Sequence, residues 1–563
     1  MLTGLAENRI VRFLGSDGVA LAFKVAYLLL AFMSFNSLVA NLPPVTYAAY
    51  AVAAFGLLVL AARVVSYRRF KDMPLLPLLA LFAASFVVSA AFSARYGIME
   101  NVQGLIWLTL EFFCLYACDV RQPARTLRRD LAVFAAVFVG YTLCASAIGI
   151  YMGLANYQDG FEVRYMVRNL LGIFQGRLYG LYSDPNYGAV YGIVSILFGW
   201  WLFLARRSRP VCALAVLNTL VQGAYIGLTG SRTGVYGALF TAALVAFLLA
   251  MRRLRERNLR GGRGVRALAS VLAAAVLVVG VYAGFKGVEQ AYLALSPVVE
   301  RVAPFPLGND FLGSRIHLYE SPETQKQKEL AQQQEAQAQK APADAPDASG
   351  SVDSAGPSAA GATGASGAAG VQEEAQAREG SAGAPVTQGI GEDKIGLSAR
   401  VDVDEGDFSN GRFSIWESGL EVFLQSPLIG VSHRHIADFA AEHLPQTYIV
   451  QADYTTMHNV FVDILAGQGI VGLAIMLAFV VLGIRLLARG LLAYRGDGYC
   501  RMVLLVGILA SVAFSALFYS EILYINTVGS VVFWTTLGYV VVRFRQAEAA
   551  ALSETGEKGG ANE

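Results

Sequence analysis

Twelve long apolar runs constrain this chain more than any other feature of its sequence. They lie near 19–40, 45–63, 74–95, 100–118, 131–153, 187–205, 210–229, 232–251, 266–285, 466–488, 500–519 and 523–542. A bilayer core is about 30 Å thick, so a helix needs about 20 apolar residues to cross it. Lipid offers no partner to backbone polar groups, which favours helices. The sequence therefore predicts an all-α polytopic membrane protein with about twelve transmembrane helices.

The composition supports this class. Hydrophobic residues make up 55% of the 563 residues and charged residues only 15%, against about 25% charged residues in an ordinary soluble protein. The five cysteines lie in or beside the apolar runs: Cys114, Cys118, Cys144, Cys212 and Cys500. Their positions predict neither a disulfide framework nor a zinc site.

Basic residues are concentrated in alternate loops. These loops contain SYRRFK, RQPARTLRRD, RRSR, RRLRERNLRGGRGVR and RLLARGLLAYRGDGYCR, and the loops between them are poor in Lys and Arg. Short cytoplasmic loops of membrane proteins are enriched in Lys and Arg. We therefore predict a multi-pass protein of the cytoplasmic (inner) membrane with both termini in the cytoplasm and the segment 286–457 outside.

The apolar runs divide the chain into five predicted regions. They are helices 1–5 in residues 1–160, core helices 6–9 in 161–285, an extracytoplasmic loop in 286–457, helices 10–12 in 458–545 and a cytoplasmic tail in 546–563. Within the loop, residues 320–400 are rich in Ala, Gly, Ser and Pro. Such a composition cannot bury enough apolar surface to offset chain entropy. We expect a disordered insert without a catalytic role.

After the insert, two amphipathic helices are predicted. Four apolar residues share one face of the first: Phe413, Trp416, Leu420 and Phe423. Pro427 and Gly430 should end it, and a second helix fits 434–443. The two helices could cap a cavity between the spans or simply pack against the bundle. The apolar stripe alone favours simple packing.

Three arginines lie on the predicted outer side, where basic residues are rare: Arg177, Arg232 and Arg412. Ser231 is a candidate N-cap for the helix that begins at Arg232. Free helix N–H groups and a guanidinium together suit an anion. An arginine that extends to lipid headgroups is the alternative, and Arg232 alone favours it. Arg177 precedes SDPN, so pairing with Asp184 is its alternative.

His458 lies at the outer N-terminal end of a predicted helix, with Asn459 as a candidate cap. The positive end of a helix dipole lowers the pKa of a nearby histidine, and a neutral imidazole can act as a general base. A lone histidine is more often a structural group bonded to a loop. Gly467, Gly469 and Gly472 should let neighbouring helices approach closely.

Metal binding is weakly indicated. His433, His435 and His443 form only a loose cluster, and Asp402, Asp404 and Asp407 lack the spacing of a calcium loop. We predict no metal site and no cofactor.

Four segments carry a resemblance to a known family: GRLYGLYSDPNYGAVY, LTGSRTGVY, GRFSIWESGLEVFLQSPLIGVS and HNVFVDILAGQGIVG. In this order, over residues 170–290 and 410–480, they resemble the O-antigen ligase and O-antigen polymerase superfamily. The resemblance implies a C-type glycosyltransferase-like fold. It also implies transfer of a glycan from an undecaprenyl-diphosphate carrier to an acceptor hydroxyl, outside the cytoplasmic membrane and without metal. The His–Asn segment is more similar to the ligase branch.

The resemblance assigns a role to each matching position. Arg177 and Arg232 would bind the diphosphate, Arg412 would close the site or hold phosphate, and His458 would activate the acceptor hydroxyl. Arg232 is thus placed with His458 in the catalytic set. Four residues would support them: Asn459, Asn186, Ser231 and Trp416. The insert at 320–400 departs from the family pattern.

Four other functions remain open at this point: a polymerase, a protein-glycosylating transferase, a transporter or flippase, and a non-catalytic assembly scaffold. A polysaccharide polymerase of the same superfamily would use the same residues on a different acceptor. A transporter or flippase for lipid-linked glycans would favour charged or broken helices near the membrane midplane, whereas these arginines lie at helix ends. The partners expected for a ligase or a polymerase are the lipid-linked donor, a glycan or lipid acceptor and the bilayer, with no nucleic acid.

Overall fold

A computed structural model describes residues 8–40, 42–163, 167–257, 262–307, 396, 409, 411–452, 454–494 and 496–560. Each of the twelve apolar runs falls on a helix. The first helices are α1 (Arg9–Leu14), α2 (Asp17–Ser34), α3 (Pro43–Val65), α4 (Leu76–Phe92), α5 (Met99–Leu110, continued by a π-helical segment, Glu111–Tyr116) and α6 (Ala124–Leu154). The later ones are α7 (Pro185–Arg206), α8 (Arg209–Leu228), α9 (Arg232–Glu256), α10 (Arg263–Val302), α11 (Arg412–Gln425), α12 (Ile436–His443), α13 (Tyr448–Gln451), α14 (Val460–Ala493), α15 (Gly496–Ser515) and α16 (Val528–Gly560).

Nine of the helices in the described part of the chain are long and apolar enough to cross a membrane. They are α2, α3, α6, α7, α8, α9, α10, α14 and α15. The chain is therefore a polytopic helical membrane protein. A count of twelve spans stays a prediction, because α4 is shorter than a full span and α5 and α16 do not meet the same criteria.

A small antiparallel sheet corrects the all-α expectation. It contains β1 (Gln158–Val163), β2 (Val167–Phe174) and β3 (Arg177–Gly180) in that order. Gln175 and Gly176, the two residues between β2 and β3, have φ values of 49° and 70°. Positive φ at both central residues suits the tight turns that join hairpin strands. The hairpin therefore fixes where Arg177, its first residue after the turn, enters the site.

α10 is longer than its apolar run predicts. The run ends at 285, but the helix continues to Val302 and spans 40 residues. At 1.5 Å per residue it is about 60 Å long, twice the thickness of a bilayer core. Residues 286–302, assigned to the outer loop by sequence, are therefore the end of this helix. The predicted disordered insert lies outside the described residues, apart from Gly396.

α7 is at the centre of the bundle. Its sequence is apolar on all sides, and nearly every residue from Pro185 to Leu202 is buried, as expected for a helix without a polar face. A Cβ at Gly188 would lie 2.6 Å from the Tyr225 hydroxyl of α8. That hydroxyl donates to Tyr179 O at 2.8 Å, which ties α8 to β3. Close packing here holds the hairpin against the helices.

α14 is broken one-third of the way along its length. Gly469 has φ 63° and ψ −165°, which is not helical. The loop after α11 supplies the missing hydrogen bonds: Val431 N donates to Ala466 O at 3.0 Å, and Ile470 N donates to Pro427 O at 2.9 Å. The predicted end of α11 near Pro427 is confirmed, and the segment that follows it is built into α14.

The glycines of α14 serve this loop contact. A Cβ at Gly469 would lie 2.4 Å from Leu428 C, and one at Gly430 would lie 2.3 Å from Gly467 C. The sequence predicted that neighbouring helices approach closely at Gly467 and Gly469. The close approach is present, but the neighbour is a loop and not a helix, so the predicted partner was wrong. At Gly472 a Cβ would meet Gln468 of the same helix.

The burial of α11 also differs from the predicted one. Its buried residues are Ile415, Ser418, Gly419 and Val422. Phe413 and Leu420, from the predicted packing face, are 61% and 47% exposed. The face of α11 that carries Ser418 and Gly419 packs on α14, and the face that carries Phe413 and Leu420 points away from it. Lipid is an apolar solvent, so apolar side chains on a membrane protein need not face its core.

Candidate active site

The His–Asn element is fixed at the start of α14. The Asn459 side chain accepts hydrogen bonds from Phe461 N (2.9 Å) and Val462 N (3.3 Å), which confirms the predicted N-cap. Its amide nitrogen also donates to Leu517 O at 3.1 Å. Asn459 therefore joins α14 to the turn after α15, and its place in the site follows from these contacts.

His458 has an unusual backbone and an enclosed ring. Its φ is 48°, a left-handed conformation that non-glycine residues seldom adopt and that is concentrated at functional sites. The half-buried ring makes edge contacts with Tyr454 (5.5 Å between centroids) and Tyr519 (5.9 Å). Burial, followed by the Arg412 charge, lowers the pKa of His458 to about 3. The predicted direction is confirmed, although its main cause is burial and not the helix dipole.

Arg412 is the first residue of α11 and points at the same tyrosine. Its Nη2 donates to the Tyr519 hydroxyl at 2.9 Å. Its guanidinium also lies over the rings of Tyr519 (5.1 Å) and Phe518 (5.6 Å). Within the described part of the chain no carboxylate is within ion-pair distance of Arg412. Its charge is thus available to an anion.

Arg177 is held by neutral partners. Its Nε donates to Thr229 O at 3.3 Å and its Nη2 donates to Asn186 Oδ1 at 3.0 Å. The alternative pairing with Asp184 is not formed, because the Asp184 carboxylate accepts from Asn186 N at 2.6 Å and caps α7. The hydrogen bond from Arg177 gives Asn186 a definite place beside it.

Two carboxyl groups in this region, those of Asp184 and Glu521, are deeply buried. Burial raises the pKa of Asp184, against the opposing charges of Arg177 and Arg412. Burial also raises the pKa of Glu521 to about 8. Both arginines are therefore close to Asp184, and Glu521 is mainly uncharged at neutral pH. These acids compensate the positive charge of the site only in part.

Arg232 begins α9 next to Arg177. Ser231 is buried and caps the helix, accepting from Gly234 N at 2.9 Å, as predicted. A Cβ at Gly230 would lie 3.1 Å from Cγ of Arg177. The loop before Arg232 is thus packed directly on the Arg177 side chain. This brings the N-terminus of α9 and the Arg177 side chain to one place.

Tyr519 joins the two groups of residues, and the sequence prediction missed it. Besides Arg412 and His458, its ring contacts Tyr187 at 5.3 Å, and Tyr187 follows Asn186 in α7. Asp463 supports the same turn by accepting bonds from Ser520 Oγ and from Met457 N. The only signal in the sequence is the polar pair Ser520–Glu521 between two apolar runs.

Trp416 lies one turn along α11 from Arg412. Its ring is half-buried and packs at 5.5 Å, edge to face, on Phe413. Its Nε1 is buried and has no hydrogen-bond partner among the described residues. Its supporting role stays a prediction.

Three other histidines each contact a different partner. His433 stacks on Tyr524 at 4.1 Å, His435 bonds to Gly97 O at 2.7 Å, and His443 stacks on Phe439 at 4.3 Å. Among the described residues, no group of three or more His, Cys, Asp or Glu side chains could hold a metal ion. The loose histidine cluster in the sequence therefore does not assemble in space.

The fold and the site define an integral membrane protein with cationic and imidazole groups gathered at one end of a helical bundle. Residues 371–477 match the family model described as O-antigen ligase. The match confirms the resemblance to the O-antigen ligase superfamily that the sequence predicted. It includes Arg412, Trp416, His458 and Asn459. No curated protein matches the chain.

Proposed function

We propose that this protein is a membrane glycosyltransferase of the O-antigen ligase type. It transfers a glycan from undecaprenyl diphosphate to an acceptor hydroxyl on the outer side of the cytoplasmic membrane. The observation that carries the proposal is that Arg412 and His458 meet at Tyr519, whose ring also contacts Tyr187, the residue that follows Asn186, the hydrogen-bond partner of Arg177. The family match supports the same class.

The arginine side of the site suits a diphosphate. Arg177 is oriented by neutral acceptors, and the buried Asp184 nearby offsets its charge only in part. The first N–H groups of α9 and the adjacent Arg232 add donors and positive potential. Arginine pairs with phosphate through two parallel hydrogen bonds. Such donors stabilise the negative charge that develops on a leaving diphosphate, which is the usual largest contribution to catalysis.

The histidine side suits activation of a hydroxyl. His458 is neutral at physiological pH and can accept a proton. A pKa of about 3 makes it a weak base in the empty site. A bound diphosphate would offset the Arg412 charge and raise the basicity of the ring, so that the base strengthens when the donor is present.

The proposed reaction is one direct displacement. The acceptor oxygen forms a bond to the anomeric carbon while its proton moves to the His458 ring nitrogen. The bond from the anomeric carbon to the diphosphate oxygen breaks, and its electron pair leaves with the diphosphate. The anomeric configuration is inverted, and no metal takes part in the proposed step.

The outer face of α11 gives the lipid carrier a surface. Phe413, Leu420 and Leu424 are exposed on this helix, whose first residue is Arg412. An isoprenoid chain in the outer leaflet could pack against this face while its diphosphate reaches the arginines. This arrangement supports a lipid-linked donor over a soluble nucleotide sugar.

Cells that lack this protein test the proposal through the sizes of their glycans. Long chains that accumulate on the carrier, with none at the surface, are expected for a ligase. Single repeat units on the carrier or surface would indicate a polymerase of the same superfamily instead of a ligase. Units trapped on the cytoplasmic side would contradict both and favour a flippase. Restoration by the wild-type gene and by His443→Ala, but not by His458→Ala, completes the test.

A further inference from the structure

A cavity lined by five ionisable residues lies at the end of the bundle opposite His458. The direction is set by α2. Past its C-terminal end, Phe35 O accepts a hydrogen bond from Ser183 N at 3.0 Å, next to the cap of α7. The N-terminal half of α2 faces the cavity through Asp17 and Lys24. The cavity is therefore distant from the candidate active site.

The cavity is open to the surface, and its empty volume of about 600 Å³ includes open solvent. Five of its lining residues are ionisable and charged at neutral pH in water: Asp17, Lys24, Arg63, Asp119 and Asp130. Counted by formal charge alone, three carboxylates and two cations give the wall of the cavity a net charge of −1. The pairing of these groups decides its true character.

The three carboxylates are paired with arginines that do not line the cavity. Arg69 contacts Asp119 at 2.8 Å and Asp17 at 3.5 Å. Arg129 contacts Asp130 at 3.0 Å. The two arginines thus offset two of the three negative charges of the wall from outside.

The two cations of the wall have no such compensation. Lys24 Nζ donates to Cys118 Sγ at 3.6 Å, and Arg63 Nη1 donates to the carbonyls of Phe113 (2.9 Å) and Ala117. Neither has a carboxylate of the described residues within ion-pair distance. Arg63 is only 8% exposed. A buried charge is normally paired, because leaving water is costly.

We propose that this cavity binds a phosphate-class anion between Lys24 and Arg63. The Arg63 bonds to carbonyls use Nη1 alone, which leaves N–H groups on Nε and Nη2 for a bidentate contact. The cavity opens at the end of a membrane bundle, where phospholipid headgroups lie. An anionic phospholipid and free phosphate present the same group, and both are sources to be tested.

The test measures the thermal stability of the purified full-length protein in neutral detergent. Dioctanoyl phosphatidylglycerol, dioctanoylglycerol and inorganic phosphate are titrated at constant ionic strength. We expect a saturable rise in Tm with the anionic lipid and none with the phosphate-free lipid. Lys24→Met should raise the half-saturating concentration about tenfold, the loss of one charge-assisted hydrogen bond. Lys71→Met, an exposed lysine outside the cavity, is the matched control and should behave as wild type.

An equal response to inorganic phosphate would identify a soluble anion as the source and still support the site. The proposal is overturned if neither anion gives a saturable rise in the wild type. It is also overturned if the half-saturating concentration is the same in Lys24→Met and Lys71→Met. If Lys24→Met does not fold, Lys24→Arg replaces it and should keep the response, and the wild-type titration remains decisive.

Discussion

The two halves of the candidate active site are built differently. The phosphate half (Arg177, Asn186, Ser231 and Arg232) is fixed by a hairpin and two helix caps, with direct hydrogen bonds to the Arg177 guanidinium. The histidine half (Arg412, Trp416, His458, Asn459 and Tyr519) depends on ring contacts and on one turn. The family match covers residues of the second half other than Tyr519 and none of the first.

The difference indicates a division of work. Groups that are fixed before substrate arrives suit binding of the donor, whereas a weak base beside a mobile acceptor acts in the chemical step. We therefore expect substitutions in the phosphate half to raise KM for the donor as well as to lower kcat, because the same groups bind the donor and stabilise the leaving diphosphate. Substitutions in the histidine half should change kcat.

The largest expected effect is that of His458→Ala. Loss of a positioned general base typically lowers the rate by about 10²- to 10⁴-fold, and kcat should fall by this amount with little change in KM. The measurement is glycan transfer by purified protein from a defined lipid-linked donor. His443→Ala, a substitution of an exposed histidine in α12, should keep full activity. Wild-type transfer by His458→Ala would remove this residue from the chemistry.

Arg177→Ala should follow in size. Removal of one charged phosphate contact costs about 1.5–3 kcal/mol, which corresponds to about 10- to 100-fold in kcat/KM. The loss should include a rise in KM for the donor, and lysine should rescue it poorly, because one guanidinium bridges two acceptors. Arg95→Ala, an exposed arginine paired with Glu442, is the control. A pure kcat effect would contradict the division between the halves.

A smaller effect is expected for Tyr519→Phe. The substitution keeps the ring contacts and removes only the hydroxyl that accepts from Arg412. Loss of such a bond should lower kcat/KM about 2- to 10-fold. Tyr236→Phe, at an exposed position of α9, should leave the rate unchanged. An effect as large as that of His458→Ala would mean that the hydroxyl itself takes part in the chemistry.

The smallest expected effect concerns stability in acid. The pKa of His458 is about 3 in the folded protein and near 6.5 when unfolded. Between these values the unfolded state binds more protons, so stability falls as pH drops from 6.5 towards 3. His458→Gln should reduce the loss of Tm between pH 7 and pH 5 by a few degrees, on the order expected for about 1 kcal/mol. His443→Gln is the control, and equal losses in all three proteins would contradict the buried position of His458.

Local patterns predicted much of this molecule. The apolar runs placed every long helix, and the caps at Ser231 and Asn459 follow from residue types next to helix starts. The hairpin was not predicted because its turn requires a positive φ at Gln175, which a glutamine does not suggest. The exposed face of α11 was assigned to the core because periodicity alone cannot distinguish lipid from protein.

Contacts between distant parts of the chain could not be predicted in this way. Tyr519 meets Arg412 and Tyr187 only in the folded bundle. The break at Gly469 likewise requires the loop at Pro427, which occupies it. No local pattern pairs these segments. Arg412 and His458 were predicted individually, but their meeting at one tyrosine comes from the structure.

The claim that both halves form one site is tested most directly by the protonation of His458. Carbon-13 NMR of labelled histidine can follow its ring near pH 5 before and after addition of a short isoprenyl diphosphate, with His458→Gln identifying the signal. We predict that bound diphosphate raises the pKa of His458 and increases its protonated fraction. Saturated binding with an unchanged His458 signal would show that the diphosphate lies elsewhere, and the two halves would not be one site.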